Sequence, residues 1–169
     1  MSFACIGLGS NLGDSLQILK GALTSLQKSG AIQLQKCSAC YLSKPWGREN
    51  QPDFFNAVAG IQTDLSALNL LSFLQQIEQE FDRQRAESWG PRTLDLDILC
   101  YENLQQNDPT LRLPHPHFAE RDFVLVPLAE IYPTWSSREN AFPCGLSNIS
   151  AVPWNVLYRQ NSTPSWSKK

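Results

Sequence analysis

No run of about eighteen or more apolar residues occurs in this chain, so no segment is suited to cross a membrane as a helix. Excess positive charge is missing as well. Lys and Arg number 14 against 16 Asp and Glu, a formal net charge of −2, so no global field draws in a polyanion as a nucleic-acid binder needs. Any anion site has to be local. The opening MSFACIGLGSNL lacks the basic region and small-residue cleavage site of a secretory leader, which makes the cytoplasm the expected compartment. Cysteines are 5, an odd and scattered set (Cys5, Cys37, Cys40, Cys100, Cys144), so reduced thiols are expected rather than a disulfide framework. The Cys37-Ser-Ala-Cys40 pair has no second pair to complete a zinc site. It also falls inside a strand-like stretch rather than at a strand-to-helix turn, so it reads as small strand residues.

A phosphate-binding glycine loop is not supported either. Gly7-Leu-Gly-Ser-Asn-Leu-Gly13 sits where a strand turns into a helix, but Leu12 stands where a dinucleotide fingerprint needs its third glycine. No G-x-x-x-x-G-K-[ST] loop exists elsewhere, and the glycine run reads as a structural turn. Internal repeats and low-complexity tracts are absent too.

What is present is a chain of 169 residues, 42% hydrophobic, enough for one domain with a continuous core. Phe3–Leu8 reads as a strand. Leu12, Leu16, Leu19, Leu23 and Leu26 follow at alternating spacings of four and three, one face of a helix with Ser10 or Asn11 as N-cap and Gly30 at its end. A strand over Ile32–Leu42, a long loop over 43–53 and a strand over Phe54–Gln62 come next. A second amphipathic helix starts at Leu65 with Leu70, Leu74, Ile77 and Phe81 on one face, and Gly90-Pro91 follows its polar end. Thr93–Tyr101 is the fourth strand, and Asp122–Ile131 the last helix. The order β-α-β-β-α-β-α describes a ferredoxin-like α+β fold, an antiparallel four-stranded sheet with helices packed on one face. Beyond about Pro133 only Ile149–Tyr158 has the pattern of a packed segment. Residues 1–160 are expected to form one domain and 161–169 a frayed tail.

The chemistry concentrates in Trp89-Gly-Pro-Arg-Thr-Leu-Asp-Leu-Asp-Ile98. Residues two apart on a strand share a face, so Asp95 and Asp97 present two carboxylates together while Leu94, Leu96 and Ile98 turn to the core. The pair is either two solvated aspartates or the ligands of a divalent ion, most simply Mg²⁺, that relieves their repulsion. Arg83, Arg85 and Arg92 lie close before the pair and Arg121 follows His115, and magnesium with several arginines points to phosphate. Phe54 and Asn56 share another strand face, which suits a flat hydrogen-bonding heterocycle, and Phe123 is either core or part of that pocket.

The run 89–98, together with Gly9-Ser-Asn-Leu12, Gln51-Pro-Asp-Phe-Phe-Asn56 and Leu113-Pro-His115…Arg121-Asp-Phe123…Pro127-Leu128, resembles the 6-hydroxymethyl-7,8-dihydropterin pyrophosphokinases of folate biosynthesis. The resemblance covers residues 3 to about 133 in the family's order and spacing. It implies transfer of the β,γ-pyrophosphoryl group of ATP to the hydroxymethyl oxygen of a reduced pterin, with release of AMP. By that likeness Asp95 and Asp97 bind two Mg²⁺ ions, and Arg83 and Arg92 neutralise the transferring group. Gln75, Glu78, Arg85, Trp89, Ile98, His115 and Arg121 line the ATP site. Phe54 and Phe123 sandwich the pterin, Asn56 bonds its edge, and Ser43 and Trp46 complete the pocket. Segments 43–52 and 83–89 are the implied lids, and a monomer is expected. The chain departs from the family at Asp82, where glycine is common, and at Ser88, where a basic residue is usual; both bear on nucleotide affinity. Two rivals share some of these features. A Mg²⁺-dependent phosphohydrolase would use the same carboxylates with water in place of the pterin. A ferredoxin-like nucleic-acid module would need a basic sheet face and an aromatic recognition strand instead.

Overall fold

The structure, a computed structural model, describes residues 1–46, 50–82, 90–133 and 150–152. Strand β1 (Ser2–Ser10) leads into helix α1 (Ser15–Lys28), followed by β2 (Ile32–Cys37), β3 (Cys40–Ser43) and β4 (Phe54–Thr63). Helix α2 (Ala67–Glu80), β5 (Asp95–Tyr101), the short strands β6 (Gln106–Asn107) and β7 (Arg112–Leu113), helix α3 (Asp122–Ile131) and β8 (Ser150–Val152) complete the order. The main sheet runs β5-β1-β4-β3-β8, and β2 pairs with β4 beyond β3, so β2 and β3 share one edge of β4. The pairings among its described strands are antiparallel. The expected α+β architecture is present, with its four-strand core widened by β8 on the outer side of β3.

Strand alternation divides the core into two. Ala4, Ile6 and Leu8 of β1, with Ala57, Ala59 and Ile61 of β4, pack under Leu19, Ala22 and Leu26 of α1 and Leu70, Leu74 and Ile77 of α2. Cys5 and Val58 point the other way and meet Val124, Leu128 and Ile131 of α3. The expectation of helices on one face therefore holds for α1 and α2, while α3 covers the opposite face. Burying the six helix residues named on the first face contributes on the order of 10 kcal/mol before the opposing chain entropy is counted.

Three local departures from the sequence reading have identifiable causes. The single strand expected over 32–42 is broken at Ser38-Ala39. Ser38 Oγ accepts from the Val58 N–H at 3.0 Å, and the Glu130 carboxylate takes the Ala39 N–H at 2.9 Å, so side chains of Ser38 and α3 replace the ladder there. Helix α1 is capped by Asp14, whose side chain accepts from the Gln17 N–H, because Ser10 Oγ is bonded to Ser15 Oγ and Asn11 is engaged elsewhere. In β5, Cys5 pairs with Cys100 but Ile6 with Ile98, which leaves Leu99 as an extra residue in a β-bulge. Leu99 and Cys100 accordingly both face α3.

The four described cysteines are free. Burial pushes the Cys37 thiol up to about 11 and the Cys40 thiol to about 12, so both stay protonated at neutral pH and behave as small apolar residues.

Candidate active site

The candidate site lies at the end of the sheet on the α3 face, where β1 runs between β4 and β5. Gly9 pairs with Asn56 on one side and Asp95 on the other; Gly7 pairs with Val58 and Asp97. Neighbouring strands stand about 4.8 Å apart, so a lane about 10 Å wide separates Asn56 from Asp95 with no side chain between them. A Cβ placed on Gly9 would lie 3.4 Å from Asn56 Oδ1 and 3.8 Å from Asp95 Cβ. Gly7 makes room instead for Leu99, whose Cδ2 would be 3.3 Å from such a Cβ. The sequence puts Gly7 inside the expected strand Phe3–Leu8 and Gly9 in the structural turn behind it. They belong to the strand interior, and only Gly13, at φ +72°, serves the turn. Their spacing of two was the available signal, since it marks one strand face stripped of side chains.

Asp95 and Asp97 are half-buried on this bare face, while Leu96 and Ile98 are buried toward α1 and α2. Arg92 Nη1 lies 2.6 Å from Asp95 Oδ2, and its Nε donates to the Gly90 carbonyl at 3.2 Å. Arg121 is 9% exposed, with its guanidinium carbon 4.8 Å from the Trp46 ring centre and 5.7 Å from that of Phe123. Burial pulls the Arg121 pKa down; Asp97 and then Asp95 favour its charge, and Arg92 opposes it. The two carboxylates thus face two guanidinium groups, a balance suited to taking up further anionic oxygen once a cation joins the aspartates.

His115 is held by its backbone N–H, which donates to the Leu99 carbonyl at 2.9 Å. Its Nδ1 accepts from the His117 N–H at 3.3 Å, so the neutral ring carries its proton on Nε2. Burial, then the charge of Arg121, pushes His115 down to about 4, which keeps it neutral and a donor through Nε2 at physiological pH. Trp46 lies 5.7 Å from the His117 ring, so the 43–46 segment meets the 115–123 segment at this face.

On the other side of the glycine lane, Asn56 is 5% exposed and its Nδ2 donates to Ser43 Oγ at 2.9 Å. Phe54 is half-buried two register pairs away on the same face, opposite Ser43. Phe123 sits in the first turn of α3, packed against the second core cluster while half exposed, so it both closes the core and borders the site.

Other expected site residues lie apart from this face. Glu78 is buried at the C-terminal end of α2 and accepts the Leu96 N–H at 2.7 Å, fixing the start of β5 to the helix. Gln75 is half-buried one turn earlier on α2. The Ile98 side chain belongs to the helix-side core, and Ile98 pairs with Ile6 in the sheet. Arg83, Arg85 and Trp89, with Ser88, lie outside the described residues.

Among the described residues, no three His, Cys, Asp or Glu side chains gather as a closed metal cage. Two hard carboxylates beside an open lane instead fit an octahedral ion that keeps water and takes phosphate oxygens, as Mg²⁺ does. No described helix is long and apolar enough to cross a membrane.

A family model described as 7,8-dihydro-6-hydroxymethylpterin-pyrophosphokinase (HPPK) matches residues 5–133. The chain is 46% identical over 132 residues to the 2-amino-4-hydroxy-6-hydroxymethyldihydropteridine pyrophosphokinase of Synechocystis sp., covering 78% of this chain and 67% of that protein. It is 47% identical over 131 residues to the enzyme of the same name from Haemophilus influenzae, covering 78% and 82%. Among solved structures, an HPPK-DHPS protein in complex with substrates aligns with a TM-score of 0.63 at 16% identity, over 83% of this chain and 42% of that one. The wild-type Plasmodium falciparum HPPK-DHPS aligns with a TM-score of 0.60 at 15% identity, over 78% and 41%. The chain therefore spans about two-fifths of the length of those proteins, and the likeness to them concerns the fold. With the matched region containing both carboxylates, both glycines of the lane and the Phe54-to-Asn56 strand, this chain belongs to the 7,8-dihydro-6-hydroxymethylpterin-pyrophosphokinase family.

Proposed function

We propose that the chain transfers the β,γ-pyrophosphoryl group of ATP to the hydroxymethyl oxygen of 6-hydroxymethyl-7,8-dihydropterin, yielding the pterin diphosphate and AMP. The observation that carries this reading is the glycine lane, with a carboxylate pair on one side and a buried amide on the other. That arrangement lets a flat acceptor lie across β1 with its alcohol directed at the phosphate side.

Asp95 and Asp97 are the proposed ligands of two Mg²⁺ ions, which when bound would neutralise the triphosphate and draw it into line with the acceptor. Arg92, held by Asp95, and Arg121, beside the Trp46 and Phe123 rings, would take phosphoryl oxygens as charge moves away from the bridging oxygen. His115 would donate from Nε2. Asn56, fixed by Ser43, would bond the pterin edge, and Phe54, Phe123 and Trp46 would enclose its faces and exclude water. Gln75, Glu78 and Ile98, together with Arg83, Arg85 and Trp89, are assigned to the nucleotide side. The proposed active unit is a monomer, and the proposed compartment is the cytoplasm, where ATP and Mg²⁺ are supplied.

The test is incubation with ATP, Mg²⁺ and the pterin, with AMP and ADP followed separately. AMP forming only with pterin, and falling about 10²-fold or more in Asp97→Asn, is the expected result. ADP released without pterin would assign the carboxylates to a phosphohydrolase, and no nucleotide turnover would overturn the reading.

A further inference from the structure

One side chain outside the groups assigned above binds both halves of the site at once. Asn11, the residue after β1, is 5% exposed. Its backbone N–H donates to the Arg92 carbonyl at 3.1 Å, and the Arg92 N–H donates back to Asn11 Oδ1 at 2.8 Å. Its Nδ2 donates to Gln51 Oε1 and to the Pro52 carbonyl, each at 3.1 Å. The orientation of this amide is settled by chemistry, since a backbone N–H can only donate and a proline carbonyl can only accept. An isosteric carboxylate satisfies the first partner and opposes the second.

We infer that Asn11 is a positioning residue: it sets Arg92 on the phosphate side and the 51–52 segment, which leads into Phe54 and Asn56, in one fixed register. This rests on the function proposed above. Arg92 reaches Asp95 from a backbone that Asn11 holds at both its N–H and its carbonyl. The loop that enters β4 is held by the same amide, two residues before Phe54. Phosphate-side and heterocycle-side groups thus share one anchor, buried where water competes poorly.

The experiment compares Asn11→Asp and Gln51→Leu with the parent by hydrogen exchange of peptides covering 50–56 and 90–95, by thermal melting, and by separate binding of the pterin and of Mg²⁺-ATP. In Asn11→Asp the donor to Gln51 and Pro52 is lost while the acceptor for Arg92 remains. Exchange in 50–56 is expected to speed up about tenfold and pterin affinity to fall about tenfold, with exchange in 90–95 and Mg²⁺-ATP affinity within about threefold of the parent. Gln51→Leu, which leaves Asn11 intact, is expected to move the same two quantities in the same direction by less. Equal loosening of both segments with both substrates weakened in proportion would reduce Asn11 to a stability role and overturn the inference. No change in 50–56 in either variant would do so as well. The exchange readout needs no activity, so a parent that binds no pterin would defeat the proposed function and still leave the tether measured.

Discussion

The conformation of the residue just after α2 makes a quantitative prediction. Asp82 has φ +55°, in the left-handed region, and its N–H donates to the Gln79 carbonyl in the turn that ends the helix. A non-glycine residue in that conformation is disfavoured by about 1–2 kcal/mol. Its carboxylate also stands at the negative end of a helix whose last turn holds no basic residue, a further cost of about 0.3–1 kcal/mol. Asp82→Gly removes both terms and returns about 0.4–1 kcal/mol to the unfolded chain through its greater freedom. The net expectation is stabilisation by about 1 kcal/mol, or roughly 2–4 °C in Tm for a chain of this size. Asp82→Asn separates the contributions, since it keeps a side chain tolerant of positive φ and removes only the charge, and it should recover about half or less. Urea melts and calorimetry of the three proteins supply the measurement. A destabilised Asp82→Gly, or an Asp82→Asn gain equal to that of Asp82→Gly, would refute the claim that backbone conformation dominates here.

Two further outcomes follow from the site. His115 has an ordinary pKa of 6.5 that folding lowers to about 4, so the unfolded chain binds the proton first and the ring's stabilising contribution, complete above pH 6.5, is lost as pH falls toward 4. After allowance for the ring's partial exposure this amounts to about 1–2 kcal/mol; metal-free His115→Gln should show a flatter melting profile than the parent across that window, and parallel profiles would contradict the assignment. Gly9→Ala introduces a methyl at ordinary contact distance from Asn56 and Asp95, so stability should change by less than about 1 kcal/mol while pterin affinity drops about tenfold or more. Unaltered pterin binding with a folded variant would remove the lane from the site.

Periodicity made much of this protein readable in advance. The spacing of Leu19 and Leu26, and of Leu70, Leu74 and Ile77, marks helix faces that the core indeed uses, and the two-residue repeat of Asp95 and Asp97 places both on one strand face opposite Leu96 and Ile98. What escaped was decided by partners distant in sequence. Nothing near Ser38 announces that its hydroxyl will replace a ladder partner for Val58, and Glu130, which completes that break, is 91 positions from Ala39. Asn11 looks like a helix cap, and is diverted by Arg92 and Pro52. The placement of α3 on the far face was hidden because Cys5 and Val58, read alone, are compatible with either side of a sheet. Gly9 was legible in principle as a strand residue, but a glycine-rich strand end looks like a loop until its neighbours are known.

The bulge at Leu99 gives the edge strand a property of a modular joint. Because Ile6 still faces Ile98 and Cys5 still faces Cys100, the extra residue changes no pairing on either side and moves neither carboxylate to the wrong face. A chain lacking Leu99 could zip into a regular ladder with Asp95 and Asp97 undisturbed. What it would lose is the carbonyl on which His115 is seated and the side chain that fills the space above Gly7. Single-residue gain or loss at this point is therefore a way to attach or detach the histidine segment from a finished sheet, leaving the acidic end of the strand as it was.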